Sequence, residues 1–103
     1  MLSSKQRAKL KSIAVNIDAL YQMGKNDIED NYIIQVNKAL DAKEIIKIKV
    51  LDNALYTANE AGQLLAEATD SEVVQTIGSK VVLYRKSRKK ENRELSALIE
   101  NIK

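Results

Sequence analysis

Chemistry in this 103-residue chain has to come from lysines, arginines, carboxylates, hydroxyls and four tyrosines, because histidine and cysteine are both absent. That absence removes the commonest general base, the thiolate nucleophile, every Cys or His zinc site and any disulfide. Asp27, Glu29 and Asp30 crowd together, but their spacing fits no calcium loop, and negative charge in the first turn of a helix has a structural reason of its own. General acid–base catalysis by Asp or Glu needs a desolvated pocket that raises one pKa, and no carboxylate pair is arranged for it. The sequence therefore predicts a protein that is not an enzyme and uses no metal and no cofactor. What the remaining side chains do well is attract anions.

Seventeen Lys and Arg stand against fourteen Asp and Glu, for a net charge of +3, and the two signs are segregated along the chain. Lys5, Arg7, Lys9 and Lys11 open it with no acid among them, whereas Asp52, Glu60, Glu67, Asp70 and Glu72 follow one another with no base between. From Arg85 to Arg93, six of nine residues are basic (Arg85, Lys86, Arg88, Lys89, Lys90 and Arg93) and Glu91 is the one acid. A single lysine usually does no more than solvate an exposed face, but a run of this density repels itself unless an anion neutralises it. Such blocks predict a basic face and a polyanionic partner, most commonly nucleic acid.

Met23-Gly24-Lys25-Asn26-Asp27-Ile28 reads as a strand that ends in glycine just before a helix. Free backbone N–H groups at a helix start, next to a lysine, can hold a phosphate. On spacing alone, an ordinary turn capped by Asp27 is the simpler reading. Among the tyrosines, Tyr32 lies on the apolar stripe of its helix and is assigned to the core. Tyr84 adjoins the basic run, which places it at the rim of an RNA surface where an aromatic ring could stack on an unpaired base.

The elements that position these residues follow from periodicity. Ser3 and Gln6 match a capping box, and Leu10, Ile13, Ala14 and Ile17 recur at helical spacing, which predicts a helix over about Ser4 to Asn16. Lys5 and Lys9 fall on one outer flank and Lys11 on the other. Ala19 to Met23 reads as a short strand. A second helix, capped by Asp27, buries Ile28, Tyr32, Val36, Ala39 and Leu40 and ends near Asp41. Glu44 to Val50 alternates as a half-buried strand, with Ile46, Ile48 and Val50 inward and Lys47 and Lys49 outward. Thr57 starts a third helix with Ala58, Ala61, Leu64, Leu65 and Ala68 inward and Gly62 as its weak point. Val73–Ile77 and Val81–Arg85, separated by Gly78-Ser79-Lys80, form a hairpin. Leu95, Leu98, Ile99 and Ile102 predict a fourth, amphipathic helix over about Lys89 to Asn101, which must dock on something to persist. The order is α-β-α-β-α-β-β, an α+β domain whose crossovers imply a four-stranded mixed sheet layered with helices.

Four dispersed stretches in register also resemble a known family. They are Leu2-Ser3-Ser4-Lys5-Gln6-Arg7-Ala8-Lys9-Leu10, the loop Gly24-Lys25-Asn26, the span from Ala39-Leu40 to Glu44-Ile45-Ile46-Lys47-Ile48-Lys49-Val50, and Val74-Gln75-Thr76-Ile77-Gly78 with Val82-Leu83-Tyr84-Arg85. Together, over about residues 2 to 86, they are similar to the YhbY family, stand-alone bacterial versions of the CRM (chloroplast RNA splicing and ribosome maturation) domain. The resemblance implies a fold similar to the C-terminal domain of translation initiation factor three. It also implies RNA binding associated with assembly of the large ribosomal subunit. The family's Gly-x-x-Gly loop corresponds to Gly24-Lys25-Asn26-Asp27. Asp27 stands where the family has glycine, and its carboxylate, as a helix cap, would take the N–H groups a phosphate needs.

These readings together give a CRM-like RNA-binding domain over residues 1–86 and a basic tail with an amphipathic helix over residues 87–103. The expected partner is ribosomal RNA or a pre-50S particle. The residues expected to contact it are Lys5, Lys9, Gly24, Lys25, Asn26, Lys80, Tyr84, Arg85, Lys86, Arg88, Lys89 and Lys90. The alternative is a protein–protein assembly module that self-associates through Leu95, Leu98, Ile99 and Ile102. No window approaches the roughly 18 to 20 apolar residues of a membrane span, and no secretory signal opens the chain, so a cytoplasmic protein with no membrane partner is expected.

Overall fold

The computed structural model describes residues 2–19, 21–24 and 29–102. The chain forms α1 (Ser4–Ala14), β1 (Tyr21–Met23), α2 (Asp30–Lys43), β2 (Ile45–Val50), α3 (Ala58–Thr69), β3 (Glu72–Ile77), β4 (Lys80–Tyr84), a 3-10 turn (Lys90–Asn92) and α4 (Glu94–Glu100). The four strands make one mixed sheet in the order β1-β2-β4-β3, with β1 parallel to β2 and the other pairs antiparallel.

Local chemistry accounts for the element ends. The Ser3 hydroxyl accepts from the Gln6 N–H while the Gln6 side chain accepts from the Ser3 N–H, and Thr57 and Glu60 do the same for α3. Gly78, at φ 55°, takes the left-handed conformation that the two-residue turn into β4 requires. The Asp27 cap predicted for the second helix lies outside the described residues; α2 starts at Asp30, with Glu29 before it making no side-chain cap bond.

The central strands are buried on both sides, so the sheet has two cores. Ile46, Ile48, Val81 and Leu83 pack with Val36, Leu40, Ala61 and Leu65 beneath α2 and α3. Ile45, Val82 and Tyr84 pack with Leu10, Ala14 and Ile99 beneath α1 and α4. The half-buried strand expected at residues 44–50 is thus covered on its second face as well, at Ile45. In α3 the inward stripe is rotated from the expected one: Gly62 and Thr69 face the sheet, while Leu64 and Ala68 are exposed. Gly62 allows this approach, because a Cβ there would stand 3.1 Å from Val81 Cγ1.

The segment after Arg85 is docked by the C-terminal end of α2. Glu44, fully buried at φ 65°, accepts from the Ser87 N–H (2.7 Å) and the Ser96 N–H (2.9 Å). A left-handed non-glycine residue costs roughly 1 to 2 kcal/mol, and here the carboxylate offsets that by satisfying two otherwise buried donors. Ile99 is 2% exposed, and Leu95 and Ile102 pack against the same core. The apolar stripe that self-association would have needed is therefore used inside the fold, with Leu98 alone left 48% exposed.

Candidate nucleic-acid interface

Charge follows the layers. α1 carries Lys5, Arg7, Lys9 and Lys11 and no acid, whereas α3, on the opposite face of the sheet, carries Glu60 and Glu67 and no base. α4, beside α1, contributes Glu94 and Glu100, and Glu100 pairs with Lys86 at 3.0 Å. α2 is balanced, with Asp30 and Asp41 against Lys38 and Lys43.

All four arginines bond to their own chain. Arg7 donates to the Val73 and Val74 carbonyls at 2.6 and 2.9 Å and stands 4.0 Å from the Glu72 carboxylate. Arg85, whose side chain is only 10% exposed, donates to Asn37 Oδ1 and the Thr69 carbonyl (both 2.6 Å) and to Asp41 Oδ1 (2.9 Å). Arg88 forks onto Asp41, and Arg93 Nε donates to the Ser87 carbonyl. The Arg88 hydrogen bond, with further help from Arg85, holds the Asp41 carboxyl well below the usual carboxylate range although burial acts against it. The planar guanidinium fork suits such multi-acceptor sites better than an ammonium.

Two expected contacts, Arg85 and Tyr84, are corrected by this arrangement. Arg85 is a buried structural cation, because Asn37, Thr69 and Asp41 accept from its two terminal nitrogens, while its buried Nε has no partner among the described residues. Tyr84 is 7% exposed in the core under α1 and α4, so its ring cannot stack on a base. Burial, reinforced by the Glu44 and Glu100 carboxylates, pushes its hydroxyl up to about 12. Arg88 pairs with Asp41 and Lys86 with Glu100, but their side chains stay 63% and 48% exposed and within reach of an external anion. Lys5, Lys9, Lys80, Lys89 and Lys90 are exposed as expected, and none of them has an ion pair among the described residues. Gly24 directly follows β1 at the loop end of the sheet; Lys25 and Asn26 lie outside the described residues.

Lys49, also exposed, stands opposite Lys80 across β2 and β4. Lys47 and Lys49 are expected outward from the sequence but are not among the expected RNA contacts. The outward phase of the Lys47-Ile48-Lys49 alternation was the available signal.

A cleft of about 610 Å³ opens near the tail, walled by Gln6, Asp70, Glu72, Arg85, Arg88 and Glu100 among others. Three carboxylates in that wall make it a poor phosphate site. No group of three or more metal-ligating side chains occurs among the described residues, and none of their helices is long and apolar enough to cross a membrane.

The profile of the CRS1 / YhbY (CRM) domain matches residues 2–85. The chain belongs to this family. Among its curated relatives, the probable RNA-binding protein YqeI of Bacillus subtilis is 40% identical over 95 residues, covering 92% of this chain and 97% of the relative. An RNA-binding protein of Haemophilus influenzae is 33% identical, over 84% of this chain and 87% of its own. The solution structure of the hypothetical protein SAV1595 from Staphylococcus aureus superposes with a TM-score of 0.73 at 44% identity, covering 91% of this chain and 98% of that one. The family and the α+β architecture expected from the sequence are both found. The CRM match ends at Arg85, and the tail that Glu44 and Asp41 clamp follows it directly.

Proposed function

We propose that this chain is a non-enzymatic, cytoplasmic RNA-binding protein that engages ribosomal RNA during assembly of the large subunit. The observation that carries this reading is the charge of α1. The other α-helices obey the helix dipole, with Asp30, Glu60 and Glu94 in their first turns. α1 has no acid in its first turn and places Lys5 and Arg7 there instead. Basic charge at a helix N-terminus is disfavoured by roughly 0.3 to 1 kcal/mol; Glu72, which accepts from the Leu2 N–H and stands 4.0 Å from Arg7, offsets part of that cost, and an external anion beside the exposed Lys5 relieves the rest.

RNA phosphates supply that anion. Lysines displace condensed counterions from the backbone, and shape together with a few polar contacts selects the site. Gly24, with Lys25 and Asn26 next to it in sequence, extends the contact, and the exposed Lys89 and Lys90 add charge from the tail. The RNA-binding names of the family relatives support the partner class.

Crosslinking of the protein to RNA in growing cells tests the ribosomal assignment. Recovered fragments are expected to be enriched in large-subunit ribosomal RNA, including unprocessed precursor ends. Recovery of messenger or transfer RNA without that enrichment contradicts it.

A further inference from the structure

One row of side chains crosses the whole sheet at its loop end. The strand registers place Gln22 of β1 beside Lys49 of β2, Lys49 beside Lys80 of β4, and Lys80 beside Ile77 of β3. All four are exposed. Val82 and Tyr84, two and four residues after Lys80, lie in the core under α1, so this row opens on the face that α1 occupies.

Directly opposed residues of an antiparallel pair have Cβ atoms about 4.5 to 5.5 Å apart, and like charges there destabilise the sheet. Lys49 and Lys80 are such a pair. Neither has an ion pair among the described residues, and their neighbours in the row are an amide and an aliphatic side chain. Lys47, the preceding outward residue of β2, is a third cation on the same face, half-buried opposite Val82. At the β3–β4 turn beside the row, a Cβ at Gly78 would meet nothing within 4 Å among the described residues.

We infer that Lys49 and Lys80, flanked by Gln22 and Ile77, form a second RNA-backbone site on the α1 face of the sheet. This inference rests on the RNA-binding reading above and extends it to a surface outside the Gly24 loop. The row is about 14 Å long, from three strand spacings of about 4.8 Å, enough for a sugar–phosphate backbone to lie across it. The two ammonium groups take phosphate oxygens. The Gln22 amide offers a donor and an acceptor to a ribose hydroxyl, and Ile77 packs against the sugar.

The test is fluorescence anisotropy of the full chain with a labelled fragment of large-subunit ribosomal RNA, between about 50 and 200 mM salt. The Lys49→Ala, Lys80→Ala double variant is expected to bind about tenfold more weakly, with a log–log salt slope flatter by about 1.4 to 1.8. Its thermal midpoint is expected to be unchanged or raised, since a like-charge pair is removed. The Lys49→Arg, Lys80→Arg variant should keep the wild-type affinity. Wild-type affinity and slope in the alanine variant would overturn this site while leaving the RNA-binding reading intact, as would loss of binding in the arginine variant. Failure of the wild-type chain itself to bind RNA would overturn the parent reading.

Discussion

Replacing Asp41 with alanine lowers the unfolding free energy by about 3 to 5 kcal/mol, the cost of leaving a buried charge without its partner. Arg85 is the charge left behind. Its side chain is 10% exposed, and without Asp41 it keeps only the neutral acceptors on Asn37 and Thr69. The same substitution removes the acceptor of the Arg88 N–H and guanidinium. For a domain of this size, that loss corresponds to a fall in Tm of about 12 °C or more. Urea denaturation followed by circular dichroism measures it, and a loss below about 1 kcal/mol would show that the pair is solvated rather than buried.

The effect depends on pH with a definite sign. Arg88 and then Arg85 depress the folded-state pKa of Asp41, relative to an unfolded value of about 3.9. The resulting stability is fully present above that unfolded value and is lost as pH falls toward the folded one. The stability gap between the wild type and Asp41→Asn should therefore narrow as pH is lowered from about 5 to about 2.

Reversing two charges on α1 has the second large effect. The Lys5→Glu, Lys9→Glu variant should bind ribosomal RNA about a hundredfold more weakly near physiological salt, because each reversal both removes a phosphate contact and adds repulsion. Folding should be unaffected. Both side chains are exposed, and glutamate at position 5 meets the positive end of the helix dipole that lysine opposes. Anisotropy and thermal melts on the same samples separate the two properties, and unchanged affinity would remove α1 from the interface.

Most of the architecture was legible because the signals are local. The Ser3–Gln6 capping box, the turn residues Gly78 and Ser79, and the alternation through Ile46, Ile48 and Val50 each act within a few residues. The fates of Arg85 and Tyr84 were not legible in this way. They sit at the end of a strand that proves central, and what buries them comes from far along the chain: Asn37 and Asp41 for Arg85, Leu10 and Ile99 for Tyr84. A dense run of cations looks the same whether phosphates or internal carboxylates neutralise it. Here Asp41 takes Arg85 and Arg88, and Glu100 takes Lys86, which leaves Lys89 and Lys90 outward. The facing of Lys49 on Lys80 was hidden for a related reason, since register across strands 31 residues apart is set by the sheet rather than by either segment.

The central claim is that the sheet separates an RNA-binding face, made by α1 and the Lys49–Lys80 row, from the acidic face made by α3. Titration of isotope-labelled protein with ribosomal RNA, read as backbone amide shift changes, tests it most directly. The largest changes are expected at residues 4–14, around Gly24, and at Lys49 and Lys80, with Ala58–Thr69 unmoved. Changes concentrated on Ala58–Thr69, with α1 silent, would contradict it.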